Sequence, residues 1–157
     1  EARVMAFTDT LKLLGAAGVI GFATFSAHAL TSHHAKEVAS KYCEPLEVSV
    51  YFQPGGTELN EFAERVLDNV MYEMRYCDLA KIEVDGFADA SGAADLNLQI
   101  SKARAESTLN YLKARGFEAL AVELDAKGEE GAIDKDGRNV AMRRKADLRL
   151  IPVADAA

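Results

Sequence analysis

The sequence predicts an α+β fold: a two-layer sandwich of two helices on a mixed four-stranded sheet, in the order β-α-β-α-β-β, preceded by one transmembrane helix. Three observations predict it. Strand-like and helix-like periodicities alternate along Glu47–Ile151. Consecutive strand-helix-strand units close through right-handed crossovers, which lays the helices on a sheet. Upstream, Leu13–Leu30 runs for 18 residues without a formal charge. The resulting division is a tail at 1–12, a transmembrane helix at 13–32, a linker at 33–46, a folded domain at 47–152 and a tail at 153–157.

The apolar run has two readings. Arg3 and Lys12, an apolar middle and Ala27-His28-Ala29 suit a signal peptide with a small-x-small cleavage site. As an anchor, the run is just long enough to cross a hydrocarbon core. The expectation is a retained transmembrane helix in contact with membrane lipid. Gly15, Gly18 and Gly21 share a narrow side, and Ala17 with Gly21 forms a small-xxx-small pair. Such pairs let helix backbones approach closely in lipid, and so suit other membrane-protein subunits. Charges flank the run on both sides (Arg3 and Lys12, then Lys36 and Lys41), so orientation is not legible. His28, His33 and His34 lack a fourth ligand for a metal site. Asp9 precedes the run, and an energy-coupling role would need an ionisable group inside it.

The folded domain is read element by element. Glu47–Phe52 alternates polar and apolar residues and ends at Pro54-Gly55-Gly56, a strand followed by a turn. Thr57 is a candidate cap for the helix that follows. In that helix Leu59, Phe62, Ala63, Val66, Leu67, Val70 and Met74 recur at helical spacing, which predicts a core-facing stripe. Leu79–Gly86 is the second strand. A second helix runs from about Ala93 to Ala114, with Ala105, Leu109 and Leu112 inward, and Gly116 ends it. Leu120–Ala126 is a third strand. Gly128–Asn139, with three glycines and many charges, is a loop. Lys145–Ile151 alternates again, with Ala146, Leu148 and Leu150 on one side.

The net charge of the 157-residue chain is -7, and no basic stripe offers counterion release, so nucleic acid is not an expected partner. Nucleophile triads, phosphate-binding loops and paired carboxylates are lacking, so the expected function is non-enzymatic, with no cofactor and no metal. Glu129 and Glu130 read as solvated loop residues. Cys43 and Cys77 each precede a strand-like run. Starts of two neighbouring parallel strands can be close in space, so a disulfide and two free, partly buried thiols both stay open.

The densest signal is Gly86-Phe87-Ala88-Asp89-Ala90-Ser91-Gly92, followed by Asn97-Leu98-Gln99-Ile100-Ser101-Lys102-Ala103-Arg104-Ala105. A strand runs into a turn bearing one carboxylate, and the helix after it carries one guanidinium. Asn97, Ser101 and Arg104 stand at i, i+4 and i+7, on one helical face. The start of a helix presents unpaired amides, which suit an anion. A fixed anion and a fixed cation at one end of such a unit can grip a zwitterion.

From Val48 to Ile151 the chain resembles the OmpA-like domain, the peptidoglycan-binding C-terminal module of outer membrane protein A and its relatives. In that family the turn reads Gly-x-Thr-Asp-x-x-Gly and the helix Asn-x-x-Leu-Ser-x-x-Arg-Ala. The last strand opens with Asn-Arg-Arg, where this chain has Arg143-Arg144-Lys145. Ala88 stands where Thr is usual, Arg143 where Asn is usual, and Lys127-Gly128-Glu129-Glu130 replaces a Gly-Tyr-Gly-Glu segment. The resemblance implies non-covalent binding of peptidoglycan through diaminopimelate, the zwitterionic residue of many wall peptides. It assigns the ammonium to Asp89 and the carboxylate to Arg104, with Asn97 and Arg144 in the same site. Joined to the apolar run at 13–30, this gives the expectation of a single-pass membrane protein with its domain in the periplasm.

Two alternatives stand beside that reading. Asp89 and Arg104 could pair with each other and fasten the loop to the helix. The domain could instead serve as a protein-protein module, in an accessory subunit of a large membrane complex of bacterial or mitochondrial inner membrane origin.

Overall fold

The computed structural model describes residues 43–153. The expectations for the 1–12 tail, the 13–32 transmembrane helix, the histidines, Asp9 and most of the linker lie outside the described residues, as do Ala154–Ala157. No helix among the described residues is long and apolar enough to cross a membrane.

The elements follow the expected order: β1 Leu46–Tyr51, α1 Glu61–Glu73, β2 Leu79–Gly86, α2 Ala94–Ala114, β3 Ala121–Ala126 and β4 Lys145–Pro152. A single 3-10 turn, Ala141–Arg143, leads into β4. The sheet order is β1-β4-β2-β3. β4 is antiparallel to both neighbours, and β2 and β3 are parallel. Period-two alternation sends Ile82 and Val84 of β2, and Ala146, Leu148 and Leu150 of β4, to the helix-covered face. There they meet Ala63, Leu67, Val70 and Met74 of α1 and Ala105, Leu109 and Leu112 of α2 in one core.

Three expectations need correction. Asn60, not Thr57, caps α1: its Oδ1 accepts from the amide of Ala63 at 2.9 Å. Phe62 is not in the core stripe but 67% exposed. It precedes the buried Ala63 by one residue, a turn of about 100° around the helix. Finally, β1 and β2 are not neighbours, because β4 lies between them. Cys43 and Cys77 nevertheless form a disulfide, with Cα atoms 5.8 Å apart. Both precede their strands, and so lie beyond the rungs that β4 separates.

The sheet face away from the helices carries charge. Pairing register sets Ser49, Asp147, Asp85 and Asp125 in one row across all four strands. Ser49 Oγ donates to Asp147 at 2.5 Å, Lys145 Nζ reaches Asp147 at 2.6 Å, and Lys127 Nζ stands 3.8 Å from Asp85. Burial raises the Asp85 pKa first. Lys127 opposes that, and Asp125, Asp147 and Glu83 add to the rise. A carboxyl whose folded pKa is raised costs stability when charged, and the cost fades as pH falls through that pKa. Asp85→Asn is therefore expected to stabilise the domain slightly at neutral pH, by no more than about a few tenths of a kcal/mol because solvent screens this half-exposed group. The gain should shrink in acid, as read by urea denaturation across pH.

Candidate functional site

The end of β2 fixes the site. A Cβ on Gly86 would lie 1.9 Å from the carbonyl oxygen of Ser101 and 3.2 Å from Ala105 Cβ. Only glycine lets the strand press this closely on α2. The loop leaving Gly86 is held at each step. Phe87 N donates to Lys145 O at 2.9 Å, Ala88 N to Gly128 O at 2.7 Å, and Lys127 N to Gly86 O at 2.9 Å. The buried Ser101 hydroxyl accepts from Gly128 N at 3.0 Å and donates to Leu98 O at 2.8 Å. Asp89 is thereby presented by a loop clamped between β4, α2 and the Gly128 turn.

Asn97, Ser101 and Arg104 lie on one face of α2, and all three are buried. Asp89, Asn97 and Arg104, together with Ser91, Gly92, Leu96 and Ile100, line a cleft of about 190 Å³. The two charged side chains are not held open to solvent: Asp89 is 7% exposed and Arg104 1%. They belong to the walls and floor of the cleft.

Asp89 does not pair with Arg104. Its Oδ2 accepts from Arg144 Nη1 at 3.0 Å, and its Oδ1 from Ser91 Oγ at 2.6 Å and, longer, Ser91 N at 3.4 Å. Arg144 thus stands against Asp89 and is not among the residues that line the cleft. Burial works to raise the Asp89 pKa, but the Ser91 hydroxyl, Arg144 and the Ser91 amide outweigh it. The carboxyl sits below its ordinary value.

Arg104 is tied to backbone. Its Nε donates to Gly56 O at 2.9 Å, Nη1 to Phe87 O at 2.8 Å and Nη2 to Gln53 O at 3.4 Å. The guanidinium lies over the Phe52 ring, 5.4 Å from its centroid. Burial lowers its pKa from the usual value, Asp89 opposes that, and Arg144 adds to it. An arginine remains a cation through such a shift. With five N–H donors in its fork, it can hold three carbonyls and still offer N–H groups to a ligand.

The resemblance did not assign several residues that complete the site. Ser91 supplies a hydroxyl to Asp89 although Ala88 lacks one. A Ser two residues after an Asp is an Asx-turn signal. Glu129, read as solvated, accepts from Asn97 Nδ2 at 2.6 Å, and Gly92 O accepts from the same amide at 3.3 Å. Asn139 Oδ1 accepts from Ala90 N at 3.0 Å. Arg143 donates to Glu130 O and lies over the Phe87 ring, 3.9 Å from its centroid. Among the described residues no group of His, Cys, Asp and Glu is placed to hold a metal.

A clamped strand-loop-helix unit thus brings a carboxylate and a guanidinium into one small cleft. Residues 51–146 match the OmpA family, and the chain belongs to that family. It is 33% identical over 99 residues to outer membrane protein P5 of Haemophilus influenzae, a match covering 63% of this chain and 28% of that protein. The chain thus spans little more than a quarter of that relative. The fold is similar to the OmpA-like domain of FopA1 from Francisella tularensis, with a TM-score of 0.60 at 14% identity, covering 72% of this chain and 77% of that one. It is also similar to the cell wall anchor of the T6SS from Pseudomonas aeruginosa, with a TM-score of 0.51 at 17% identity, covering 79% and 97%.

Proposed function

We propose that this domain binds peptidoglycan non-covalently, by gripping the zwitterionic end of diaminopimelate in the wall peptide. Asp89 takes the ammonium, Arg104 the carboxylate, and Asn97 orients the α2 end of the cleft through Glu129 and Gly92. Arg144 holds the Asp89 carboxylate in place rather than touching the ligand. The module is non-catalytic, and residues 13–32 carry it as a single-pass membrane helix with the domain in the periplasm.

One observation carries the reading: an ionised carboxylate and a guanidinium, both desolvated by the fold, line the same cleft. Desolvation matters because a charge-assisted hydrogen bond is worth about 1.5–3 kcal/mol, against about 1 for a neutral one. A ligand with both charges uses both groups, whereas a simple amine or a simple carboxylate uses one. Family membership and the likeness to a cell wall anchor support the same reading.

The test is titration calorimetry of the whole chain with a muropeptide containing diaminopimelate. Asp89→Asn keeps the size of the side chain while removing its charge; its one amide oxygen can still accept from Ser91, and the bond from Arg144 is given up. The substitution is expected to weaken binding by roughly 10- to 100-fold with little loss of fold. A matched peptide with lysine in place of diaminopimelate keeps one ammonium and lacks the carboxylate, and should bind as weakly. Equal affinity for both peptides would sink the zwitterion reading. Because the Asp89 pKa is lowered, its charge and the grip should persist through mildly acidic pH. They are lost only as pH falls through that lowered value.

A further inference from the structure

The described chain begins at Cys43, and the disulfide to Cys77 ties that point to the connection between α1 and β2. Backbone bonds gather the neighbouring segments at the same rim. Val153 N donates to Asp78 O at 2.8 Å, and Leu120 N to Leu79 O at 3.0 Å. This rim is where β2 and β3 begin. The Asp89 cleft lies where β2 ends, eight residues on, or about 26 Å along the strand.

The rim exposes apolar and aromatic surface. Leu120 is 84% exposed, Tyr72 66%, Tyr76 50% and Val153 44%. Arg75 lies over both tyrosine rings, 3.9 Å from the centroid of Tyr72 and 4.5 Å from that of Tyr76. Beside Leu120 a hollow of about 320 Å³ is walled by Ile82, Phe117, Ala119 and Val122, with Lys113 and Glu118 also lining it. Tyr72, Tyr76, Leu120 and Val153 take no part in the core cluster.

We propose that this rim is a lipid-contacting base, which rests on the headgroup layer of the bilayer that residues 13–30 enter. The proposal builds on the anchor reading given above. Only twelve residues, Thr31–Tyr42, separate the apolar run from Cys43. Fully extended they span about 40 Å, and as a helix about 18 Å. The tether enters at the rim, at the far end of β2 from the cleft, and as a helix it brings that rim within about 18 Å of the apolar run. Tyrosine rings and arginine stems are the side chains that settle where hydrocarbon meets headgroups. Charge is not what draws the base down. Arg75, Lys113 and Arg115 are offset by Glu44, Glu73, Asp78 and Glu118 at the same end. Contact through apolar and aromatic groups should depend little on salt or on anionic lipid.

The test uses the full chain in vesicles of phosphatidylcholine that carry a nitroxide on the headgroup, with no other protein present. The native cysteines are joined, so an introduced one can take a dye. Glu118→Cys reports on the base and Asp136→Cys on the opposite end. Lipid quenching is expected to be several-fold stronger at position 118 than at 136, and unchanged by salt. Adding Tyr72→Glu, Tyr76→Glu and Leu120→Glu, with the fold checked by circular dichroism, should bring position 118 down to the level of 136. If the chain floats with the vesicles but both positions are equally unquenched, the base is overturned while the anchor stands. A dye at 118 that is shielded from water yet unquenched means that the rim is covered by protein, which also overturns it. A chain that does not float removes the anchor and the base together.

Discussion

Arg104→Met is expected to destabilise the domain by about 3–5 kcal/mol, lowering the melting temperature by roughly 10–20 °C. The guanidinium holds the carbonyls of Gly56, Phe87 and Gln53, the last of which also accepts from Gly56 N at 2.9 Å. Methionine fills the volume but leaves the Gly56 and Phe87 carbonyls facing a non-donor, and a buried polar group without a partner costs about 1–3 kcal/mol. Thermal denaturation of the purified variant measures the loss. A change below about 1 kcal/mol would mean that water or loop movement satisfies the carbonyls, and that Arg104 is free for a ligand alone. This result governs how binding data are read. Lost wall binding in an Arg104 variant would not by itself reveal a ligand contact, because the cleft depends on the same side chain. Asp89→Asn is the cleaner probe, since Asp89 holds one hydroxyl, one amide and one guanidinium near the surface.

The second large effect is expected from opening the disulfide. Cys43 and Cys77 are 34 residues apart in sequence. Closing a loop of that length removes enough freedom from the unfolded chain to contribute about 4 kcal/mol in the chain-entropy model. Cys43→Ser with Cys77→Ser should lose most of this, with the cleft and its bonds unchanged at the far end of the strands. Urea denaturation of the variant, beside wild type with and without a reductant, checks it. Reductant should shift wild type toward the variant and leave the variant where it was. No difference between the two proteins would mean that the unfolded state already keeps this loop short.

The elements were legible because each has its own period. Alternation marks Glu47–Phe52 and Lys145–Ile151 as strands, and the spacing of Ala63, Leu67, Val70 and Met74 marks α1. The helical face of Asn97, Ser101 and Arg104 was legible for the same reason, since three positions on one helix need only local geometry. What the sequence hid is non-local or made by backbone. The Asp89–Arg144 pair joins residues 55 apart. The anchors of Arg104 are carbonyl oxygens, which every residue carries and which leave no trace in a side-chain pattern. The cap is not legible because Thr57 and Asn60 both belong to the favoured types, and Thr57 directly follows the Pro54-Gly55-Gly56 turn. Sheet order was equally hidden, because nothing in the alternation of β1 or β2 says that a third strand will separate them.

That order has a consequence for how the chain is made. Among the described residues β1 has β4 as its sole neighbour in the sheet, and β4 also joins β1 to β2. The first strand to be synthesised must therefore wait, unsatisfied along its edge, for the last. The β2-α2-β3 unit can pair once Ala126 is made, but the four-stranded sheet closes only when β4 is free, and a nascent chain halted before Lys145 leaves β1 without its partner. A stop ahead of β4 thus forfeits the closed sheet, whatever else of the domain has formed.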